Sequence, residues 1–312
     1  MPREVGAGTA GPRSKRPGTG RWQQSRRYII FLIPAAVFML LFAVFPLVQL
    51  LWMSLHDVTQ RTLHAADWDF VGWENYLRGF SAGESTAAIG RTLVVVLIVT
   101  VGGMLLGLIA AIALRTAGRW SAGLLALMVF VWALPPVVNG SVWKFLLAER
   151  GLFNTALSAV GVSRPIPFLY DPQWALISVA CVAAFAVIPF NALVFRAALM
   201  AIPPEVFEAA AVDGASRFQE IRYIMLPAVR GTTLVLFVLT VVYGFRSFDF
   251  IYVMTFGGPG TATATLPFLG YLQAFNRYDY GLGSATSFLA VAGVLILAGA
   301  YAWTIRREER SG

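Results

Sequence analysis

Charge is scarce in this sequence. Of its 312 residues only 13% are Asp, Glu, Lys or Arg, about half the share a soluble domain carries. That scarcity excludes an ordinary water-soluble fold. Cysteine is nearly absent: Cys181 stands alone, within an apolar run, so the chain forms no internal disulfide and offers no cysteine metal cluster or dithiol redox pair. There are two lysines, Lys15 and Lys144, and neither completes a G-x-x-x-x-G-K-[ST] phosphate loop. The two histidines, His56 and His64, lie near Asp57 and read as solvated loop residues rather than a metal or catalytic pair. No Ser-His-Asp or H-E-x-x-H pattern occurs. Catalytic, cofactor-binding and metal-ligating residues are therefore all expected to be none. The formal charge is +8, but the basic residues gather at the ends of apolar runs, which argues against a nucleic-acid partner.

What is abundant is apolar. Hydrophobic residues make up 58% of the chain, and the mean hydropathy is +0.69. Six segments hold almost no charge: roughly 29–52, 92–114, 121–146, 174–199, 232–254 and 285–305. Each is about 21 to 26 residues long, enough as a helix to cross a hydrocarbon core of about 30 Å. The expectation is an all-α membrane protein with six transmembrane helices. Residues 1–27 read as a disordered basic cytoplasmic tail, 28–306 as the transmembrane domain and 307–312 as a second cytoplasmic tail. The first apolar run is too long for a cleaved signal core. With the N-terminus inside, sixteen Lys and Arg fall on the cytoplasmic side and seven outside, which predicts N-in and C-in.

One loop, 204–227, is both amphipathic and charged. Pro203 and Pro204 suit a helix start, and Glu205 and Glu208 suit the positive end of its dipole. Ala209, Ala210 and Ala211 favour helix, Gly214 stops it, and Ser216 with Gln219 predicts a capping box for a second short helix, which Pro227 would close. Two short helices about a glycine, with a small alanine face between charged shoulders, suit docking into a groove on another protein. Glu208-Ala209-Ala210, then Asp213-Gly214, then Ile224-x-Leu226-Pro227 resembles the EAA loop of ABC importer permeases. Phe70 to Tyr76 (FVGWENY), and the stretch from Phe248 through Gly257-Gly258-Pro259, resemble segments of the carbohydrate-type, binding-protein-dependent members.

Two groups inside the spans call for a role. Arg246 and Asp249 are three apart in the fifth segment, predicting one helical face and an intramembrane ion pair, either structural or part of a polar pathway. Phe185, Phe190 and Asn191 in the fourth span, with Thr240, Tyr243, Gly244 and Ser247 in the fifth, are individually compatible with core packing. As a set they also suit a sugar, whose C–H faces stack on aromatics while its hydroxyls hydrogen-bond. The resemblance places such a substrate pathway at these stretches.

The resemblance implies a type I ABC importer permease in the bacterial plasma (inner) membrane. It would form half of the pathway for a sugar or oligosaccharide. The implied partners are a second homologous permease, a cytoplasmic ATPase dimer, an extracytoplasmic solute-binding protein, the carbohydrate substrate and membrane lipid. No cofactor is expected in this chain, ATP and Mg belonging to the ATPase, and the chain itself is not expected to be an enzyme. Coupling is expected through Glu208, Ala209, Ala210, Asp213, Gly214, Ile224, Leu226 and Pro227. Two rivals stand beside this reading: a permease for glycerol-phosphate-type solutes, and a self-sufficient secondary transporter, for which Asp249 is the one intramembrane carboxylate to carry coupling.

Overall fold

A computed structural model describes residues 31–115 and 118–311, with residues 119, 120, 302 and 304–311 by their backbone alone. The predicted tail 1–27 lies outside the described residues. The chain divides into two compact units, 1–49 and 50–312. The described part of the first is the beginning of α1 (Phe31–Ser54), π-helical over Leu40–Val44, and its residues 31–48 are all exposed apolar or small side chains apart from the backbone they carry.

The second unit is mainly helical over its described residues. Its order is α2 (Glu74–Ser81), α3 (Glu84–Ala113), α4 (Arg119–Ala133), α5 (Pro136–Leu146), α6 (Leu152–Ala159), α7 (Pro172–Met200), α8 (Pro204–Val212), α9 (Arg217–Gln219), α10 (Leu226–Ala228), α11 (Arg230–Phe245), α12 (Asp249–Met254), α13 (Leu266–Tyr271) and α14 (Tyr280–Ser311). Extended pairing among the described residues is confined to two isolated bridges, His56 with Phe70 and Thr59 with Asp279. The helix α14 runs past residue 306, where a tail was expected to begin.

Among the described residues five stretches are long and apolar enough to cross a membrane: Phe31–Ser54, Glu84–Ala113, Pro172–Met200, Arg230–Met254 and Tyr280–Tyr301. The segment 121–146, expected as one more span, is a helix pair bent by 102°, which makes a sixth span when the pair is taken as one. The cause is local. Leu134 and Pro135 each precede a proline, and ring clashes exclude the helical region there. Both are extended, with ψ of 133° and 138°. Helix α5 then restarts with Pro136 in its first turn, where the missing N–H has no intrahelical partner to lose.

The core forms where α3, α7 and α11 meet. Val95, Val99, Val179, Ala180 and Ala183 are buried in one cluster with Ile251 and Phe268. A second cluster joins Phe195, Leu199, Met225, Val229 and Leu236. Small residues bring the helices close, as they must where lipid supplies no hydrophobic drive. At Gly244 an added Cβ would lie 2.9 Å from Val96 Cα, so α11 seats on α3 only because that side chain is absent.

At the other end of the α3 helix from Ala113, the loop after α1 docks on the loop before α14. Asn75 Nδ2 donates to the carbonyls of Ser54 and His56, both at 3.0 Å. Arg78 pairs with Asp279 at 2.7 Å and Arg277 with Glu84 at 2.8 Å. His56 is not solvated as expected: it is 4% exposed and stacks on Trp52. His64 is exposed.

Candidate functional site

The 204–227 loop folds into a sharp corner. Helix α8 begins with Pro204 in its first turn and Glu205 beside it. At its end Gly214 has φ +74°, the left-handed conformation that costs an L side chain energy. Gly214 N–H donates to Ala211 O at 3.1 Å and Ala215 N–H to Ala210 O at 2.9 Å, the paired bonds of a Schellman motif. Ser216 follows at once with the expected capping box. Its N–H donates to Gln219 Oε1 at 2.7 Å, and Gln219 N–H donates to Ser216 Oγ at 3.4 Å.

Pro227 does not close the second helix as expected. The chain is π-helical over Glu220–Met225 and continues helically to Ala228. Proline is tolerated there because the wider turn in front of it has already altered the hydrogen-bond ladder. Glu208, Ala209, Asp213, Gly214, Leu226 and Pro227 are exposed, whereas Ala210 and Ile224 are half-buried. Val212, Phe218 and Tyr223 add apolar surface, at 88%, 74% and 71% exposure.

Side chains not singled out in the sequence anchor this corner. The Arg115 guanidinium lies 3.7 Å from the centroid of the Phe207 ring, a cation–π contact. Arg196 Nε donates to Leu114 O at 2.8 Å, satisfying a carbonyl at the end of α3. Phe207 and Ile221 pack against the cluster of Phe195 and Leu199. A tilt of α8 is therefore felt directly at the ends of α3 and α7.

The second feature is a cavity of about 380 Å³ bounded by α4, α5, α7 and α11. Phe190 and Tyr243, both singled out in the sequence, line it together with Trp132, Pro136, Asn139 and Phe250. Phe190 stacks on Trp132 with ring centroids 5.8 Å apart. Trp132 and Asn139 went unremarked in the sequence; the signal was an aromatic and an amide flanking a double proline inside an apolar run.

The other expected pathway residues divide. Phe185 packs edge-on against Trp143 at 5.1 Å and is not among the residues lining this cavity. Asn191 and Thr240 are 0% and 1% exposed and form a clasp between α7 and α11, Thr240 Oγ1 donating to Asn191 Oδ1 at 3.3 Å. Gly244 serves helix packing against Val96. Ser247 lines a smaller recess of about 190 Å³ with Arg246, Asp249, Tyr243 and Pro136.

The ion pair expected between Arg246 and Asp249 is not formed. The salt bridges among the described residues are Arg78–Asp279 and Arg277–Glu84. The three-residue spacing places two side chains together only on a continuous helix, and here α11 ends at Phe245 and α12 begins at Asp249. Both charged residues are exposed to the recess they line.

The family of binding-protein-dependent transport system inner membrane components matches residues 103–310. The chain belongs to this family. It is 34% identical over 281 residues to the trehalose/maltose transport system permease protein MalF of Thermococcus litoralis, covering 88% of this chain and 92% of that one. It is 28% identical over 282 residues to the sulfoquinovosyl glycerol transport system permease protein SmoG of Agrobacterium fabrum, covering 90% and 91%. Its fold is that of a chain in a bacterial ABC transporter involved in the import of the acidic polysaccharide alginate, with a TM-score of 0.77 at 20% identity, over 92% of this chain and 99% of that one. This family member is thus a multi-pass inner-membrane transport component, and its helical architecture is that of the importer permeases.

Proposed function

We propose that this chain is the permease subunit that forms half of a sugar or oligosaccharide pathway in an ABC importer. The observation that carries the substrate class is the cavity between α4, α5, α7 and α11. Trp132, Phe190 and Tyr243 offer ring faces there, and the Asn139 amide offers both donor and acceptor. Stacking surfaces beside a few fixed polar groups suit a carbohydrate, whose two kinds of surface need both. The names of the relatives support the same class. A glycerol phosphate would call for several cations, and Arg246 beside Asp249 offers a recess of no net charge.

In this reading the N-terminus and the 204–227 corner face the cytoplasm, as the sixteen-to-seven distribution of Lys and Arg favours. The corner docks on an ATPase dimer, which binds ATP and Mg²⁺ and performs the hydrolysis. Glu208, Ala209, Ala210, Asp213 and Gly214 form the docking turn, and Ile224, Leu226 and Pro227 carry it into α11. A second permease completes the pathway, and a solute-binding protein delivers sugar from the opposite side. Closure of the ATPases shifts the corner, and the Arg115–Phe207 and Arg196–Leu114 contacts pass that shift to the spans, giving alternating access.

The test is uptake of radiolabelled trehalose and maltose by the reconstituted complex with its binding protein. Phe190→Ala and Tyr243→Ala are expected to abolish uptake while the subunits still co-purify. Normal uptake by an assembled complex carrying both changes overturns the cavity assignment.

A further inference from the structure

The stretch from Phe70 to Tyr76 takes no part in the corner or the cavity, yet the short helix it opens has three distinct sides. Along α2 (Glu74–Ser81) Asn75, Tyr76 and Gly79 are buried, and at 3.6 residues per turn they share one side. Glu74, Arg78 and Ser81 share a second side and are exposed. Trp73, Leu77 and Phe80 share a third, which is apolar and exposed as well, Trp73 at 67% and Leu77 at 66%. Phe70, just ahead of the helix, is 71% exposed. Its ring meets His56 edge-on at 5.4 Å, and His56 stacks on the exposed Trp52 at 4.4 Å. The buried side fixes the level at which α2 lies. Tyr76 Oη and Ser54 Oγ are hydrogen-bonded at 2.8 Å, and Asn75 Nδ2 donates to Ser54 O at 3.0 Å, Ser54 being the last residue of α1. A Cβ added at Gly79 would collide with Ser85 Oγ and lie 3.6 Å from Leu282 Cδ1, residues in the first turns of α3 and α14. Three span ends therefore hold this helix where hydrocarbon gives way to headgroups.

We propose that α2 is an interfacial helix whose apolar side, together with Phe70, is seated at the boundary between acyl chains and headgroups in the leaflet remote from the 204–227 corner. The order of its sides selects lipid over a protein partner standing in water. An apolar side next to a charged side, on a helix tied to span ends, meets both of the media that a membrane surface offers. Indole rings gather at this depth, where the ring body is dry and the N–H is wet. Glu74 and Arg78 then face water, and Arg78 reaches Asp279 at 2.7 Å. Seated there, α2 sets the depth of the ends of α1, α3 and α14 together. Lipid is met whatever solute the chain carries, so nothing here rests on the sugar reading.

The test places one nitroxide label at a time on the permease within its purified complex, in vesicles of phosphatidylethanolamine and phosphatidylglycerol. Cys181→Ser removes the native thiol, and Leu77→Cys, Phe80→Cys, Glu74→Cys and Ser81→Cys each supply one attachment point. All four side chains are exposed, so none of these changes opens the core. Collisions of the label with oxygen, which concentrates in lipid, are compared with collisions with a nickel chelate, which stays in water. Labels replacing Leu77 and Phe80 are expected to favour oxygen severalfold, and those replacing Glu74 and Ser81 to favour the chelate. Adding the solute-binding protein should leave the oxygen preference unchanged. Leu77 and Phe80 report independently, so if one variant fails to assemble the other decides. Chelate preference at all four positions overturns the proposal, because the helix then stands in water. Loss of both kinds of collision at Leu77 and Phe80, with or without the added binding protein, overturns it too, because a protein then covers the apolar side.

Discussion

Replacing Gly214 isolates what a backbone angle contributes to coupling. The residue has φ +74°, and a Cβ built there meets no atom within 4 Å. Any effect of substitution is therefore conformational, with no steric clash to confuse it. An L residue in the left-handed region costs roughly 1 kcal/mol as Ala and about 2 kcal/mol as a β-branched residue, whereas Asn tolerates it at a cost of a few tenths. If the substituted residue escapes to negative φ, the bonds from Gly214 N–H to Ala211 O and from Ala215 N–H to Ala210 O are lost. Helix α8 then runs on, and the capping box at Ser216 no longer sits where the second helix begins. The expected order of function is Gly, then Asn, then Ala, then Val. The assay is co-purification of the ATPase together with substrate-stimulated ATP hydrolysis in vesicles, and with about 2 kcal/mol against the corner Val should lose most of the stimulation, since 1.4 kcal/mol is tenfold in an equilibrium. The reasoning is refuted if Val couples as well as Gly, or if Asn is as damaging as Val.

Other outcomes follow from contacts remote from that corner. Thr92 Oγ1 accepts from Leu266 N–H at 2.9 Å and donates to Ala88 O at 2.7 Å, in a buried setting; Thr92→Val should cost about 1–3 kcal/mol by leaving the Leu266 N–H unpaired, measured as thermal unfolding of the purified protein. Burial raises the Tyr76 phenol above its ordinary value of 10.0, and the Ser54 hydrogen bond only partly opposes this. The stability that goes with neutral Tyr76 is thus complete below pH 10 and lost as pH climbs through the raised folded value, so Tyr76→Phe should melt lower at neutral pH, by about 1 kcal/mol for the bond to Ser54, and should flatten the alkaline decline in melting temperature. A reporter active only in the cytoplasm should work when fused at Gly312 and stay silent at Gly260; activity at Gly260 would overturn the proposed orientation.

The sequence by itself determined the features that act over a few residues. Apolar composition over twenty or more residues marked the spans, five of them long and apolar enough among the described residues and a sixth when the bent pair is taken as one, since bilayer thickness sets the length needed. The Gly214 stop and the Ser216–Gln219 box were legible because each device operates within a turn of helix. The double proline was visible too, though reading it as a kink within one span missed that two successive pre-proline residues turn the chain by 102°. Only the tertiary structure decided which polar residues face space and which face protein. Asn191 and Thr240 clasp each other across forty-nine positions, Thr92 caps a helix one hundred and seventy-four positions away, and Arg115 covers Phe207. Arg246 and Asp249 parted because the helix that would have joined them breaks between Phe245 and Asp249. A residue's helical phase states its direction on an isolated helix. What it meets there depends on neighbouring helices whose approach is set by small residues far away in the chain, such as Gly244 against Val96.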